Sequence, residues 1–316
     1  MEMPFNYAKD VYGGTEYMAK TWERLVLPHM QNLDNYQCMI APGLTPKMPQ
    51  IIEDGRGIIL WLHNLKIQFN QAYVEEVIGQ SAFVERIKYI VVPSMFHKIN
   101  TANELNVPLD KIKVIPNAIF PLPFKPEKFD NPKQIRIINT STSYRGLPIL
   151  MNALRHIEYD FRLEVYNDYN PDIHFKGDQS EIDKRVRFFW KTPRATVMEA
   201  VENSHIFAYP CIYLETFCLS LAESMSAGNL CVYPDFGALA EVGDNNGIVY
   251  EHEDDLNEHE MIFAAALTMG IEKVRNGEWN PEETIRHVNE SFSWENITQQ
   301  WIDFDSKLKE EHDSQE

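Results

Sequence analysis

Two carboxylates eight positions apart, on a run that passes from a strand into a helix, are the residues best placed by type to do chemistry. The run is Tyr209-Pro-Cys-Ile-Tyr-Leu-Glu215-Thr-Phe-Cys-Leu-Ser-Leu-Ala-Glu223-Ser-Met-Ser-Ala-Gly228. An apolar strand leads into a loop carrying Glu215, a helix is expected from about Phe217 to Ala227, and Gly228 is the residue type that closes helices. Glu215 therefore falls just before a helix amino end, where backbone N–H groups lack intrahelical acceptors and a phosphate can bind. Glu223 falls about two turns in, and an ionised carboxylate there accepts hydrogen bonds from a pair of vicinal hydroxyls, as on a ribose. The same pair also fits a charge that complements the helix dipole and a second that is merely solvated.

Three further segments carry candidate groups. Arg145 precedes Gly146 and can grip a phosphate through two parallel N–H donors, or it can be a surface residue before a glycine turn. Gly13 and Gly14 precede a helical pattern; glycines there let backbone approach a phosphate or a sugar closely, and they also make a simple turn. His63 ends the run Ile58-Ile-Leu-Trp-Leu62, with Asn64 and Lys66 beside it on the same rim. The acidic loop from Asn167 to Asp172 lacks a calcium-loop pattern and reads as a solvated turn. Neither a Walker A loop nor a G-x-G-x-x-G run is present, so the usual markers of nucleoside-triphosphate and dinucleotide chemistry are missing.

The elements that must hold these residues follow a βα rhythm. Short apolar runs at 37–41, 58–62, 89–93 and 113–116 read as strands, with helices expected at 14–27 and 69–83. A segment with Pro121, Pro123, Pro126 and Pro132 then interrupts the pattern and reads as a linker. Strands resume at 135–140, 162–166, 186–189, 205–210, 229–233 and 248–250, with helices at 147–155, 194–201 and 217–227 and a largely helical tail broken near 276–281 and at Ser293. This predicts an α/β protein of two Rossmann-like domains that face each other across a cleft, each with its ligand crevice at the carboxyl ends of its strands. The expected division is 1–117, a linker at 118–133, 134–292, and a closing helix and tail at 293–316.

Composition narrows the partners. A formal charge of −18 disfavours nucleic acid, whose phosphates are met by Lys and Arg, and strong association with an anionic membrane surface for the same reason. The four cysteines have no paired spacing and read as buried thiols rather than a zinc site or a disulfide framework. No apolar core follows Met1 and the longest near-apolar run, 261–271, is too short to span a bilayer, so a cytoplasmic protein is expected.

The run from Glu215 to Glu223 resembles the E-x7-E motif of glycosyltransferase family 4. Its continuation, Met225-Ser-Ala-Gly228-Asn-Leu-Cys-Val-Tyr-Pro-Asp235-Phe-Gly237-Ala-Leu-Ala-Glu241-Val, is similar to the sequence that follows that motif in the family. Val91-Val-Pro-Ser94, Lys113-Val-Ile-Pro-Asn117-Ala-Ile and Phe292-Ser-Trp294 look like other family segments, in the same order along the chain. The resemblance implies a GT-B fold, with C-terminal helices crossing back onto the first domain. It implies a retaining glycosyltransferase that moves a sugar from a nucleoside diphosphate to an acceptor hydroxyl, without metal or other cofactor.

Roles follow residue by residue. Glu215 would sit by the donor sugar's hydroxyls, Glu223 would hold the nucleotide ribose, and the backbone of Thr216, Phe217, Cys218, Leu219 and Ser220 would meet the diphosphate and sugar. Arg145 stands where the family has lysine to neutralise the leaving diphosphate, while the family's arginine falls on Thr140. His63 matches a histidine that touches the donor sugar, and the Gly13–Gly14 loop would face the donor. The acceptor, a glycan or small molecule, and the oligomeric state stay open. So do two alternatives: a degenerate relative that binds a nucleotide or glycan without transfer, and different chemistry on the same fold, such as nucleotide-sugar epimerisation or phosphorolysis.

Overall fold

The computed structural model describes residues 14–32, 35–40, 56–68, 84–174 and 182–314, with 37–40 as backbone only. It divides into two compact units: residues 1–118 with 291–316, and residues 119–290. The Gly13 position and the helix expected at 69–83 lie outside the described residues.

In the first unit, helix α1 spans Gly14–Leu25 and strands β1 to β4 span Tyr36–Ile40, Gly57–Trp61, Ile87–Val92 and Ile112–Val114. The strands pair in chain order, all parallel. A parallel sheet covered on both faces needs apolar residues at successive positions, which is why Ile58, Ile59, Leu60 and Trp61 are all buried. Ile58, Leu60, Ile90, Val92 and Ile112 form one cluster together with Leu62. Between β3 and β4, helix α2 (Met95–Leu105) begins at Ser94, whose hydroxyl accepts a hydrogen bond from the His97 amide at 3.0 Å.

The second unit holds a six-stranded parallel sheet. Its strands are β5 (Ile135–Asn139), β6 (Phe161–Asn167), β7 (Val186–Trp190), β8 (Ile206–Ala208), β9 (Leu230–Asp235) and β10 (Ile248–Glu251). They lie in the order β10-β9-β8-β5-β6-β7, the doubly wound arrangement in which the chain moves outward from the centre in one direction and then in the other. Helices α3 (Leu147–Ala153), α4 (Arg194–Glu202), α5 (Leu219–Ser226), α6 (Leu239–Gly243) and α7 (Leu256–Arg275) connect or flank these strands. The core packs Ile135, Ile137, Leu163, Val165, Ile206 and Leu230 of the strands with Leu150 of α3 and Phe263, Leu267 and Ile271 of α7.

Helix α8 (Glu282–Phe292) leads into α9 (Trp294–Asp313), which is capped by the Ser293 hydroxyl and belongs to the first unit. Trp301 of α9 packs with ring centroids 5.4 Å from Trp22 of α1 and 5.2 Å from Trp61 of β2, and all three side chains are buried. The Asp305 carboxylate accepts from the Gln31 amide at 2.6 Å, and the Tyr89 hydroxyl donates to Glu311 at 2.8 Å. Hydrogen bonds and aromatic edges thus join α9 to α1, to the segment after it and to the sheet across more than 200 positions of sequence.

At the amino ends of the second sheet a buried polar cluster fixes helix ends. The Lys128 ammonium donates to the carbonyls of Glu202 and Ala227, the closing residues of α4 and α5, and to the Asn229 side chain. His205 accepts from the Arg136 amide at its Nδ1 and meets the Lys128 carbonyl through Nε2 at 2.7 Å, a pattern that suits the neutral ring. Burial, then the neighbouring Arg136 charge, pushes His205 down to about 4. Unfolding releases this ring to its ordinary value near 6.5, so the unfolded chain binds a proton that the native state refuses, and stability falls as pH drops below 6.5. His205 should therefore contribute a loss of about 2 kcal/mol between pH 7 and pH 5. Urea unfolding at the two pH values should show it, and the loss should shrink by that amount in His205→Gln.

Candidate active site

The switch point of the second sheet lies between β5 and β8, the strands at which the order reverses, and ligand crevices of such sheets open at their carboxyl ends. Here the Asn139 amide of β5 donates to the Ala208 carbonyl of β8 at 2.9 Å and ties the two strand ends together. The loop after β5 carries Thr140, Ser141 and Arg145; the loop after β8 carries Tyr209 and Glu215. Parallel register thus brings to one place two segments about 70 positions apart.

Two glycines let these loops close. Gly146 has φ +135°, and a β-carbon there would meet the Pro210 carbonyl oxygen at 2.0 Å. Gly237, at φ +64°, lies against the backbone of Glu215, where a β-carbon would come within 2.5 Å of the Glu215 carbonyl oxygen. The next residue, Ala238, donates its amide to that same carbonyl at 2.9 Å. Glu215 is therefore gripped along its backbone by the loop after β9 and along its side chain by the loop after β5.

Its carboxylate is nearly enclosed, with 6% of the side chain exposed. Arg145 Nη1 lies 2.7 Å from Glu215 Oε1, and the Tyr209 hydroxyl donates to the same oxygen at 2.5 Å. Ser141 in turn donates its hydroxyl to Tyr209 at 3.1 Å. The Arg145 guanidinium also stacks on the Tyr213 ring, 4.2 Å from its centroid. Burial works against the charge of Arg145, but Glu215 and Tyr209 outweigh it and hold the guanidinium more firmly protonated than usual. Burial, then the Glu215 charge, pushes the Tyr209 phenol well above its ordinary range, so it stays a donor.

Glu223 is enclosed as well, with 4% of its side chain exposed, and its Oε1 is paired with the guanidinium of Arg194, the first residue of α4. Burial drives the Glu223 carboxyl up while Arg194 pulls it down, and the net direction is upward. Each glutamate of the pair thus has its own arginine, delivered by a different element.

The helix amino end lies two residues later than the expected 217. Cys218 adopts φ 102° and ψ 87°, a conformation that ordinary side chains rarely take, and this keeps Thr216, Phe217 and Cys218 out of the helix. Glu223 is consequently one turn into α5 rather than two, and the amides of Leu219 and Ser220 are among those that the helix leaves without intrahelical acceptors. Thr216, Phe217 and Cys218 are buried, whereas Leu219 and Ser220 are half-buried. Thr140 is half-buried at the end of β5.

The remaining candidates belong to the first unit. His63 follows β2 and is buried against Trp61, with ring centroids 4.7 Å apart. Burial, then the nearby His97, pushes it down to about 3, so it is a neutral imidazole at neutral pH. The Asn64 carbonyl meets His97 Nε2 at 3.1 Å, and the Lys66 amide donates to Glu104. Gly14 is the exposed first residue of α1. Among the described residues no group of three or more His, Cys, Asp or Glu side chains is gathered as a metal site would require, and no helix is long and apolar enough to cross a membrane.

The comparisons with known proteins bear on the same region. Residues 120–262 match the model of the family "Glycosyl transferases group 1". The matched segment is similar to that family. It contains Arg145, Arg194, Tyr209, Glu215 and Glu223. An uncharacterized glycosyltransferase of Methanocaldococcus jannaschii is 25% identical over 242 residues, which cover 67% of this chain and 58% of that protein. One subunit of the human phosphatidylinositol N-acetylglucosaminyltransferase is 25% identical over 224 residues, 67% of this chain and 44% of its own. The chain spans about half the length of these curated relatives. Among solved structures, Anabaena HepE in complex with UDP-glucose superposes with a TM-score of 0.70 at 14% identity, covering 92% of this chain and 82% of that one. The sucrose-phosphate synthase of Thermosynechococcus elongatus superposes with a TM-score of 0.70 at 14% identity, covering 96% and 82%. At this identity they establish the fold, an α/β architecture with parallel sheets of the GT-B type.

Sequence reading did not single out Tyr209 or Arg194. Tyr209 had a signal, since it stands where a strand delivers its last residue to the crevice; Arg194, one arginine at a helix start, had none. Two substitutions report how the second unit holds Glu215. Tyr209→Phe removes one donor to a buried carboxylate and should cost about 1.5–3 kcal/mol of stability. Arg145→Ala leaves that charge without its cation and should cost more, roughly 3–5 kcal/mol. Equilibrium urea unfolding of both variants would rank them.

Proposed function

We propose that this protein is a retaining glycosyltransferase that moves a sugar from a nucleoside-diphosphate sugar to an acceptor hydroxyl. The observation that carries the reading is the enclosed Glu215 at the switch point, bound by Arg145 and Tyr209, four residues before the amino end of α5. The group 1 match to the surrounding segment supports it, as do relatives named as glycosyltransferases.

On this reading the diphosphate lies against the amino end of α5, where the Leu219 and Ser220 amides and the helix dipole meet negative charge. Arg145 shares that charge as the leaving group departs, and the reading asks for no metal. Glu215 orients the sugar hydroxyls, and Glu223 accepts from the ribose hydroxyls. The neutral ring of His63 is suited to hydrogen-bonding a sugar rather than to supplying positive charge. HepE, a structural neighbour, is described in complex with UDP-glucose, which makes uridine nucleotides the first donors to try. Acceptor and cellular site are left to experiment; a glycan or small molecule and the cytoplasm are the working choices.

One observation favours a second reading. Thr140 is uncharged at the position where the family resemblance calls for arginine, which suits a relative that holds a nucleotide or glycan without turning it over. Donor consumption in the presence of a working acceptor separates the two.

The binding step comes first. Thermal unfolding against a panel of nucleoside diphosphates and nucleotide sugars should show stabilisation of roughly 2.7 kcal/mol by the right nucleotide at 100 times its dissociation constant. Glu223→Ala should abolish the shift while the protein remains folded. No shift with any nucleotide would remove the donor-site assignment.

A further inference from the structure

We infer that Arg194 is a positioning residue that holds Glu223 as an ionised, acceptor-only carboxylate and thereby selects ribonucleotides over 2′-deoxyribonucleotides. The inference rests on the reading of Glu223 as the ribose site. It adds a residue, and a specificity, that neither the two-glutamate motif nor the family match assigns.

The geometry is lopsided. The Glu223 side chain is 4% exposed on α5, whereas the Arg194 side chain is 45% exposed on α4 and reaches in to bind the carboxylate at Oε1. The buried partner is thus the anion, and its cation stands on the solvent side. A carboxylate in such a place is ionised only with a cation against it, because desolvation favours the neutral acid. Burial does push the Glu223 carboxyl upward, and the Arg194 charge and hydrogen bond are what oppose it.

The protonation state decides what the site recognises. An ionised carboxylate offers acceptors only, and with Oε1 engaged by Arg194 it still has lone pairs on Oε2 and one on Oε1 for two hydroxyl donors. A ligand lacking the 2′-hydroxyl leaves one of these buried acceptors unfilled beside a full charge. A neutral carboxyl is also a donor, can turn its proton to another acceptor, and loses much less when one hydroxyl is missing. The charge maintained by Arg194 therefore converts a sugar contact into discrimination between riboses. Lysine at this position can also supply a cation, although without the planar fork.

The test measures dissociation constants for UDP, GDP and ADP and for their 2′-deoxy counterparts, by calorimetry on the full chain. Wild-type protein should bind its ribonucleotide at least about tenfold more tightly than the deoxy form, the scale of a hydrogen bond to a charged group. In Arg194→Ala the ratio should fall to about fivefold or less, as for a neutral hydrogen bond, and Arg194→Lys should restore most of it. Circular dichroism melts establish that both variants are folded. If Arg194→Ala binds more weakly but keeps the wild-type ratio, Arg194 is only structural and the inference is overturned. If wild-type protein binds none of the three ribonucleotides, the donor reading fails and this inference falls with it. If wild-type protein binds a ribonucleotide and its deoxy form equally, the donor reading survives and the inference alone is lost.

Discussion

Burying a carboxylate is the constraint around which the second unit is arranged. A lone ionised carboxylate taken out of water costs several kcal/mol even after relaxation, so each enclosed glutamate must be matched by a cation or by several donors. Glu215 and Glu223 are both enclosed, and each is matched by an arginine from a different element. Satisfying them dictates local structure in turn. The loop after β5 must lie on the Pro210 carbonyl to present Arg145, which only a glycine at 146 permits. The loop after β9 must press on the Glu215 backbone, which only a glycine at 237 permits. The strained turn at Cys218 ends the loop and starts α5 close to the carboxylate.

The two ends of the sheet share out the work. At the amino ends of the strands, Lys128 and His205 close α4 and α5 with bonds to backbone carbonyls and neighbouring amides. Those bonds fix where the helices finish, and hence where Arg194 and Leu219 start at the opposite ends. One ammonium, that of Lys128, thus ties the closing turns of α4 and α5 to each other. The polar cluster lies at the ends of the two helices opposite to Arg194 and Leu219.

Most of the fold was legible in the sequence because parallel strands are written as short apolar runs. The runs expected at 135–140 and 186–189 are strands Ile135–Asn139 and Val186–Trp190, and the break expected at Ser293 is the cap of α9. What the sequence hid were features set by tertiary contact. The helix expected from 217 starts at 219 because Cys218, a residue type with no left-handed preference, takes positive φ under the loops packed around it. Arg145 and Glu215 are offered by the sequence as separate candidates, and only the parallel register of β5 with β8 puts them 2.7 Å apart. Arg194 carries no local mark at all; its meaning comes entirely from the carboxylate that it faces.

The pairing of Arg145 with Glu215 also bears on how a diphosphate would be accommodated. Arg145 already faces the Glu215 carboxylate and Thr140 adds no charge, so a second anion must share the guanidinium. One carboxylate oxygen occupies Nη1, and a guanidinium has five N–H donors, so a phosphate can be added before Glu215 is released. Should Arg145 turn wholly to the phosphate, the carboxylate would lose its cation but not its last partner, because the Tyr209 hydroxyl remains on the same oxygen. The donor that stays behind lowers, without removing, the cost of drawing the cation away from a buried carboxylate. On the proposed reading, Tyr209, supported by Ser141, thus eases a partial shift of Arg145 toward the charge that would develop on a leaving diphosphate.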